Sequence, residues 1–190
     1  MSENNDTIDW QAVADYGCKF VIVRCSYGQS HTDELFQTNV KGAHDAGLIC
    51  GAYHYSYALT PDQAIEEANH AKDVIANAGI ELSLPIFFDM EDADHYKENH
   101  SFNFDNSYIT SICKAWIDNI GLNTGVYASE SWFDDYINWK ELGCSVWNAS
   151  WLSNPNADPS LHTGNDGIQG MLWQFTDSLI IDGNLFDGDW

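Results

Sequence analysis

Residues 85 to 92 read PIFFDMED, an apolar run that ends in three acids out of four residues. Pro85 through Phe88 suit a protein interior, where an unpaired carboxylate is costly. On a strand, side chains alternate between faces, so Phe87, Asp89 and Glu91 share one face while Phe88, Met90 and Asp92 share the other. Same-face residues two apart have backbone positions about 6.5 to 7 Å apart, which lets their carboxyl groups approach the roughly 5 to 5.5 Å of a retaining glycosidase pair. In such a pair an acid protonates the leaving oxygen and a carboxylate stabilises positive charge at the anomeric carbon. A strand running out into solvent would also end in acids, and that plainer account stands beside the chemical one.

The elements around this strand alternate. IDWQAVADYG has Trp10, Val13 and Ala14 at helical spacing, with Gly17 where a left-handed cap would end the helix. KFVIVRCSYG follows as a strand, ELFQTNVKGAHDAG as a helix stopped by Gly47, and LICGAYHYSYA as a strand. Thr60 as N-cap, Pro61 at the first helical position and Gln63 as the closing residue of a capping box start a helix that runs to Gly79. LPIFFDME is the next strand. Ile109, Ile112, Cys113, Trp116 and Ile120 mark an amphipathic helix ended by Gly121, before the strand TGVYAS and a short helix in SWFDDYINW. CSVWNASW, MLWQFTDS and LIID then read as three strands without helices between them, and the stretch 153–170 reads as a long polar loop. This order predicts an α/β fold in one domain over residues 1–190, with a mostly parallel sheet of the kind that closes into a barrel. Five helices and seven strands are visible, and the chain opens on a helix, so the first strand of an eight-stranded barrel is missing from it.

Composition narrows the partners. With 29 acids against 7 bases the formal charge is −22, which disfavours nucleic acid and anionic membrane surfaces at long range and suits a neutral substrate. Most of those acids need do no more than keep the fold soluble. Cys18, Cys25, Cys50, Cys113 and Cys144 are odd in number, lack a C-x-x-C pair and mostly sit in apolar runs, as buried small hydrophobes do. No stretch approaches the roughly 18 apolar residues of a membrane span, and MSENNDTIDW has no signal-peptide pattern. EDADHYKENH lacks the glycine of a calcium loop and fits no zinc spacing, so no metal and no cofactor is expected.

Taken in order from Ile8 to Phe186, the segments IDWQAVADYGCKFVIVRCSYG, GLICGAYHYSYA, PIFFDMED, GVYAS, VWNASW, LWQFT and IDGNLF resemble those of the glycoside hydrolase family 25 lysozymes, the Chalaropsis-type N-acetylmuramidases. The resemblance implies a flattened TIM-like barrel of five β/α units and then three strands, and hydrolysis of the β-1,4 bond between N-acetylmuramic acid and N-acetylglucosamine in peptidoglycan, with retention, by a protein acting outside the cell on bacterial wall. It puts the family's D-x-E on Asp89 and Glu91 and its late D-x-N on Asp182 and Asn184. The family opens with a strand like G-I-D-V-S, absent here. Open barrel lips at KFVIVRC and LIID, self-association through them, and lower activity than in a chain extended upstream are the expectations that follow.

The resemblance makes Glu91 the general acid and then base, and a charged Asp89 beside it in a partly apolar wall would hold its proton more tightly. Asp89 would either attack the sugar or orient the substrate acetamide so that its oxygen attacks. Asp182 would steady the pair or position the substrate, or else be an acid in a turn before Gly183. Tyr53, Tyr55, Tyr127, Trp147, Trp151 and Trp173 recur near strand ends, where aromatic faces stack on sugar rings, with Trp173 as readily a core residue. Gln174, in LWQFT, joins the substrate-binding set. Arg24 is either an inward charge partner for the acids or a solvated strand end. A family 18 chitinase would carry D-x-x-D-x-D-x-E, but Phe87 and Leu84 occupy its upstream acid positions. A wall-glycan-binding module without chemistry is the alternative from another class.

Overall fold

Helix ends follow the local chemistry of the sequence. The computed structural model describes all residues except 4, 6, 155–157, 162–167 and 169. Helix α1 (Trp10–Tyr16) is capped by Asp9, whose carboxylate accepts the N–H groups of Gln11 and Ala12, and ends at left-handed Gly17. After strand β1 (Phe20–Tyr27) comes the two-residue β2 (His31–Thr32), then α2 (Phe36–Asp45) and β3 (Ile49–Tyr55). In α3 (Pro61–Ala78) the Thr60 hydroxyl accepts the N–H of Gln63, and the Gln63 side chain accepts the N–H of Leu59, so the capping box closes one residue before the N-cap. Strand β4 (Ile86–Asp89) is followed by a single turn, α4 (Tyr96–Asn99), and by α5 (Asn106–Ile120), capped by Asp105 and ended by left-handed Gly121. Strand β5 (Thr124–Ser129) leads to the short helices α6 (Glu130–Asp135) and α7 (Trp139–Leu142), then β6 (Ser145–Ala149), a 3-10 turn (Pro159–Leu161), β7 (Leu172–Ile181) and β8 (Asn184–Asp189).

All eight strands lie in one sheet, ordered β2-β1-β3-β4-β5-β6-β7-β8. Pairing is parallel from β1 through β7 and antiparallel at both ends. The expected α/β barrel-like sheet is therefore present, with three strands closing the order. Two apolar layers flank it. Val23, Cys25, Ala52, Phe88 and Val126 face the helices and pack with Phe36, Ala68, Ile112 and Trp116. On the inner face, Ile22, Phe87, Tyr127, Trp147 and Leu172 fill the concavity, with Phe20, Tyr53 and Leu84 around them. The five cysteines are free, three of them buried.

The end of the chain departs from the sequence expectation. MLWQFTDS and LIID are one strand, β7, whose pairing is irregular between Thr176 and Leu179. The last strand is β8, joined to β7 by a tight turn at Asp182 and Gly183, both at positive φ. The edge strands are consequently β2, which covers only the Ser26–Tyr27 end of β1, and β8, and no strand pairing joins β1 to β8 among the described residues. A cavity of about 530 Å³ lies between them, lined by Met1, Phe20 to Ile22 and Phe186 to Trp190. The Met1 carbonyl accepts the N–H of Arg24 at its mouth. Much of the stretch 153–170 lies outside the described residues.

Glycines on the inner face make room for the large side chains. A Cβ at Gly125 would stand 2.5 Å from the Ser145 carbonyl oxygen and 2.6 Å from the Phe87 ring. Neither backbone carbonyl nor buried ring can give way. Gly125→Ala should destabilise the fold by about 2 kcal/mol, as overpacking does, read as a lower denaturant midpoint with unchanged slope. An unshifted midpoint would mean that the inner layer is looser than its geometry implies.

Candidate active site

The two acids stand where β4 leaves the sheet. Asp89 pairs across the sheet with Tyr55 on β3 and Tyr127 on β5. Its carbonyl accepts the Ser56 N–H, and the next residue, Met90, donates to the Tyr127 carbonyl, so the backbone stays pinned past the end of the strand. Glu91 follows one residue later, its carbonyl held by the Lys97 ammonium at 2.7 Å. Asp92 and Asp94 turn the chain instead of entering the site. Asp92 accepts the N–H groups of Lys97 and Glu98, while Asp94 accepts that of Tyr96 and the Tyr57 hydroxyl.

Burial and mutual repulsion set the protonation of the pair. Asp89 is buried, one of its carboxyl oxygens has no hydrogen-bond partner, and burial followed by the Glu91 charge holds its pKa well above the usual range. Burial likewise raises Glu91 to about 7; Lys97 pulls it down, while Asp187, Asp94 and Asp92 push it up. Two neighbouring carboxyls that cannot ionise together titrate as a unit and keep one proton toward neutrality. This is the state in which one group can donate a proton while the other carries charge.

Aromatic and amide groups line the concavity beside the pair. The Gln174 side-chain oxygen accepts from the Tyr127 hydroxyl at 3.1 Å and from the Trp151 ring N–H at 3.0 Å, tying these three predicted residues into one network. Trp151 is 59% exposed and presents an open ring face. Tyr53 meets Trp147 edge-on at 6.3 Å, and the Asp89 charge, after burial, raises its hydroxyl pKa. Burial and then Glu91 and Asp89 raise that of Tyr55. Trp173 packs in the interior, its N–H on the Ser150 carbonyl.

Two predicted residues lie elsewhere. Arg24 bonds to Asp33 at 2.9 Å and to Glu3 at 3.1 Å and lies over the Tyr27 ring, so its contacts go to the N-terminal segment and not to the acid pair. Asp182 sits exposed in the β7–β8 turn. The late acids that reach the site are on β8. Asp187 acts on both Asp89 and Glu91, and Asp189 accepts the Trp147 N–H at 2.8 Å, with burial raising it to about 7. Sequence reasoning missed both because it ended the last strand at Asp182. The alternation of LFDGD, with Leu185, Asp187 and Asp189 on one side, was the available signal.

Comparison with known proteins gives a consistent picture. The family model described as glycosyl hydrolases family 25 matches residues 1–184. An autolytic lysozyme of Clostridium acetobutylicum is 26% identical over 189 residues, covering 94% of this chain and 55% of its own length. An N,O-diacetylmuramidase of Arthroderma benhamiae is 24% identical over 204 residues, covering 99% of this chain and 80% of its own. In structure, the modular autolysin LytC of Streptococcus pneumoniae, solved with a synthetic peptidoglycan ligand, superposes with a TM-score of 0.78 at 22% identity, over 98% of this chain and 43% of that one. That likeness is one of fold. This chain thus spans about half the length of the autolytic lysozyme and less than half of LytC.

The raised carboxyls make stability depend on pH. Their folded pKa values, about 7 for Glu91 and Asp189, exceed the unfolded values of about 4. The folded state therefore binds more protons inside that window, and stability falls as pH rises through it. The Tm should be higher at about pH 5 than at about pH 8, and Asp89→Asn with Glu91→Gln should shrink the difference. A Tm that climbs between those pH values would contradict the buried, protonated pair.

Proposed function

The chain belongs to glycosyl hydrolases family 25, and from that membership we propose that residues 1–190 form a single catalytic domain that cleaves the β-1,4 bond between N-acetylmuramic acid and N-acetylglucosamine in peptidoglycan, with retention. The observation that carries this is the buried Asp89 at the end of β4 and the half-buried Glu91 just past it, with both pKa values raised and Glu91 near 7. A groove that only binds glycan gains nothing from burying two like charges side by side.

In this proposal the one proton that the coupled pair keeps is carried by Glu91, the less buried of the two, in the reacting state, and Glu91 gives it to the glycosidic oxygen as the bond to the anomeric carbon breaks. Asp89, ionised, stabilises the positive charge at that carbon, either by bonding to it or by orienting the acetamide whose oxygen bonds to it. Glu91, now a carboxylate, takes a proton from the water that attacks next, and recovers its starting state. Asp187 supports the acid by raising its proton affinity, the role first given to Asp182. Trp151 and Tyr127, joined through Gln174, offer faces and polar edges to sugar rings, with Trp147, Tyr53 and Tyr55 completing the wall. Arg24 serves the site by holding the N-terminal segment against β1. The site of action is bacterial cell wall, outside the cell.

Glu91→Gln should remove turnover, because an amide cannot deliver the proton, and Asp89→Asn should be nearly as damaging, each costing on the order of 10³-fold or more in kcat. Release of reducing ends from purified peptidoglycan measures this, and N-acetylmuramic acid at the new terminus identifies the bond. Substantial residual turnover in Glu91→Gln would take the acid's role from it. Proton NMR of the first-formed product should show the β-anomer; an initial α-anomer rules out retention.

The part of the β1 edge that β2 leaves uncovered and the free edge of β8 bear on association. Edges with free backbone groups invite pairing with another chain, so self-association through them is part of the proposal. Light scattering across a concentration series should show a species larger than 21.3 kDa; a monomer at every concentration would count against it.

A further inference from the structure

Beneath the acid pair lies a cation that the proposed chemistry does not use. Lys97, in the single turn α4, is 1% exposed. Its ammonium donates to the carbonyls of Glu91 and Ser56 and lies 5.9 Å from the Tyr55 ring centre. Ser56 in turn donates its hydroxyl to Glu67 at 2.8 Å, and Glu67 also accepts the Tyr57 N–H at 2.9 Å. Glu67 is fully buried in α3, with His54 Nε2 at 3.3 Å and His54 bonded on to Ser26. Ser56 therefore bridges a buried cation and a buried anion through its two oxygens. A buried ammonium is costly, and replacing a buried ion pair by apolar groups is often neutral or stabilising, so fold stability alone is a weak reason for this arrangement.

We propose that Lys97 is a positioning residue for Glu91: its buried ammonium, clamped on the Glu91 and Ser56 carbonyls and balanced by Glu67, fixes the chain just past β4 and places a positive charge beneath the acid pair. The inference rests on the proposed role of Glu91 as acid. Geometry supplies its first half, since the clamped carbonyl belongs to the acid itself and β4 has already left the sheet at that point. Charge supplies the second. The groups facing Glu91 are Asp89 from β4, Asp92 and Asp94 from the turn after it, Tyr55 from β3, Tyr127 from β5 and Asp187 from β8, while Arg24 on β1 acts on Asp89. Asp187, Asp94 and Asp92 raise the acid, and Lys97 opposes them. Lys97 itself is lowered by burial and held up by Glu67, Asp89, Asp92 and Glu91, so cation and acids sustain one another. Without it the acid would hold its proton too tightly to release it to the leaving oxygen.

The test uses Lys97→Met, which keeps the length and removes the charge, and Lys97→Met combined with Glu67→Gln, which removes both buried ions and so avoids an unbalanced Glu67 if the single variant fails to fold. Carbon-13 carboxyl NMR should show the Glu91 midpoint rising by about one unit in either folded variant. The alkaline limb of the kcat/KM profile on soluble peptidoglycan fragments should move up with it, with kcat falling about tenfold and KM nearly constant. Asp187→Asn provides the opposite sign, a midpoint below that of the wild type. A Glu91 midpoint unmoved in the double variant, with only the Tm changed, would reduce Lys97 to a structural ion and overturn the proposal. Wild-type protein without any turnover would instead sink the muramidase proposal, and the NMR arm would still decide whether Lys97 governs Glu91.

Discussion

A buried and a half-buried carboxyl, set two residues apart where one strand ends, are the constraint on which the rest of the structure turns. Repulsion and lost hydration both oppose ionising them, and the surrounding elements divide between worsening that problem and relieving it. Asp187, Asp92 and Asp94 worsen it, and Lys97 relieves it. The balance leaves Glu91 near 7, where a general acid can both hold and release a proton. A chain of formal charge −22 has no shortage of carboxylates, so the device that tunes the site is the rare buried base beneath it.

The sheet explains how the pair is held in place. Parallel strands bring β4 to the middle of the order, where neighbours on both sides continue the ladder to Ser56 and Met90. The concavity behind the acids is filled by Phe87, Trp147 and Tyr127, and it can be filled only because Gly51 and Gly125 leave space for the facing side chains. Packing thus reaches up to the acids from below and stops there. Above them the wall becomes polar, with Gln174 joining Tyr127 and Trp151, so the packing that fills the base of the site gives way to hydrogen-bonding groups at its mouth.

Much of this was legible in the sequence because it depends on local rules. Asp9 and Thr60 as caps, the left-handed glycines after α1, α3 and α5, and the alternation that puts Asp89 with Phe87 are each decided within a few residues. The β7–β8 hairpin was not legible. The polar Thr176 to Ser178, where the ladder is irregular, reads as a break between strands, and the exposed Ile180 and Leu185 give apolar signals at positions that face solvent. The turn at Asp182 and Gly183 was consequently read as a strand end, and the late acid was placed five residues early. Lys97 was illegible for a different reason. A lysine inside EDADHYKENH looks like a solvated charge, and only the fold turns it inward toward the Glu91 carbonyl and the distant Ser56 carbonyl.

The late acids also tie the chemistry to the edge of the sheet. Asp187 raises Glu91 from β8, a strand paired only to β7 and facing the cavity along its other side. Asp189 on the same strand fixes Trp147, which in turn packs on Phe87 and Tyr127. The proton affinity of the acid and the packing of the inner layer therefore both depend on where this one-sided strand lies. Lys97 answers from the opposite side, anchored to α3 through Ser56 and Glu67 in the densest part of the helix layer. An acid set between a buried cation and an anion on an edge strand owes its proton affinity to both sides of the site at once, and the last strand of the sheet therefore shares in the chemistry through Asp187.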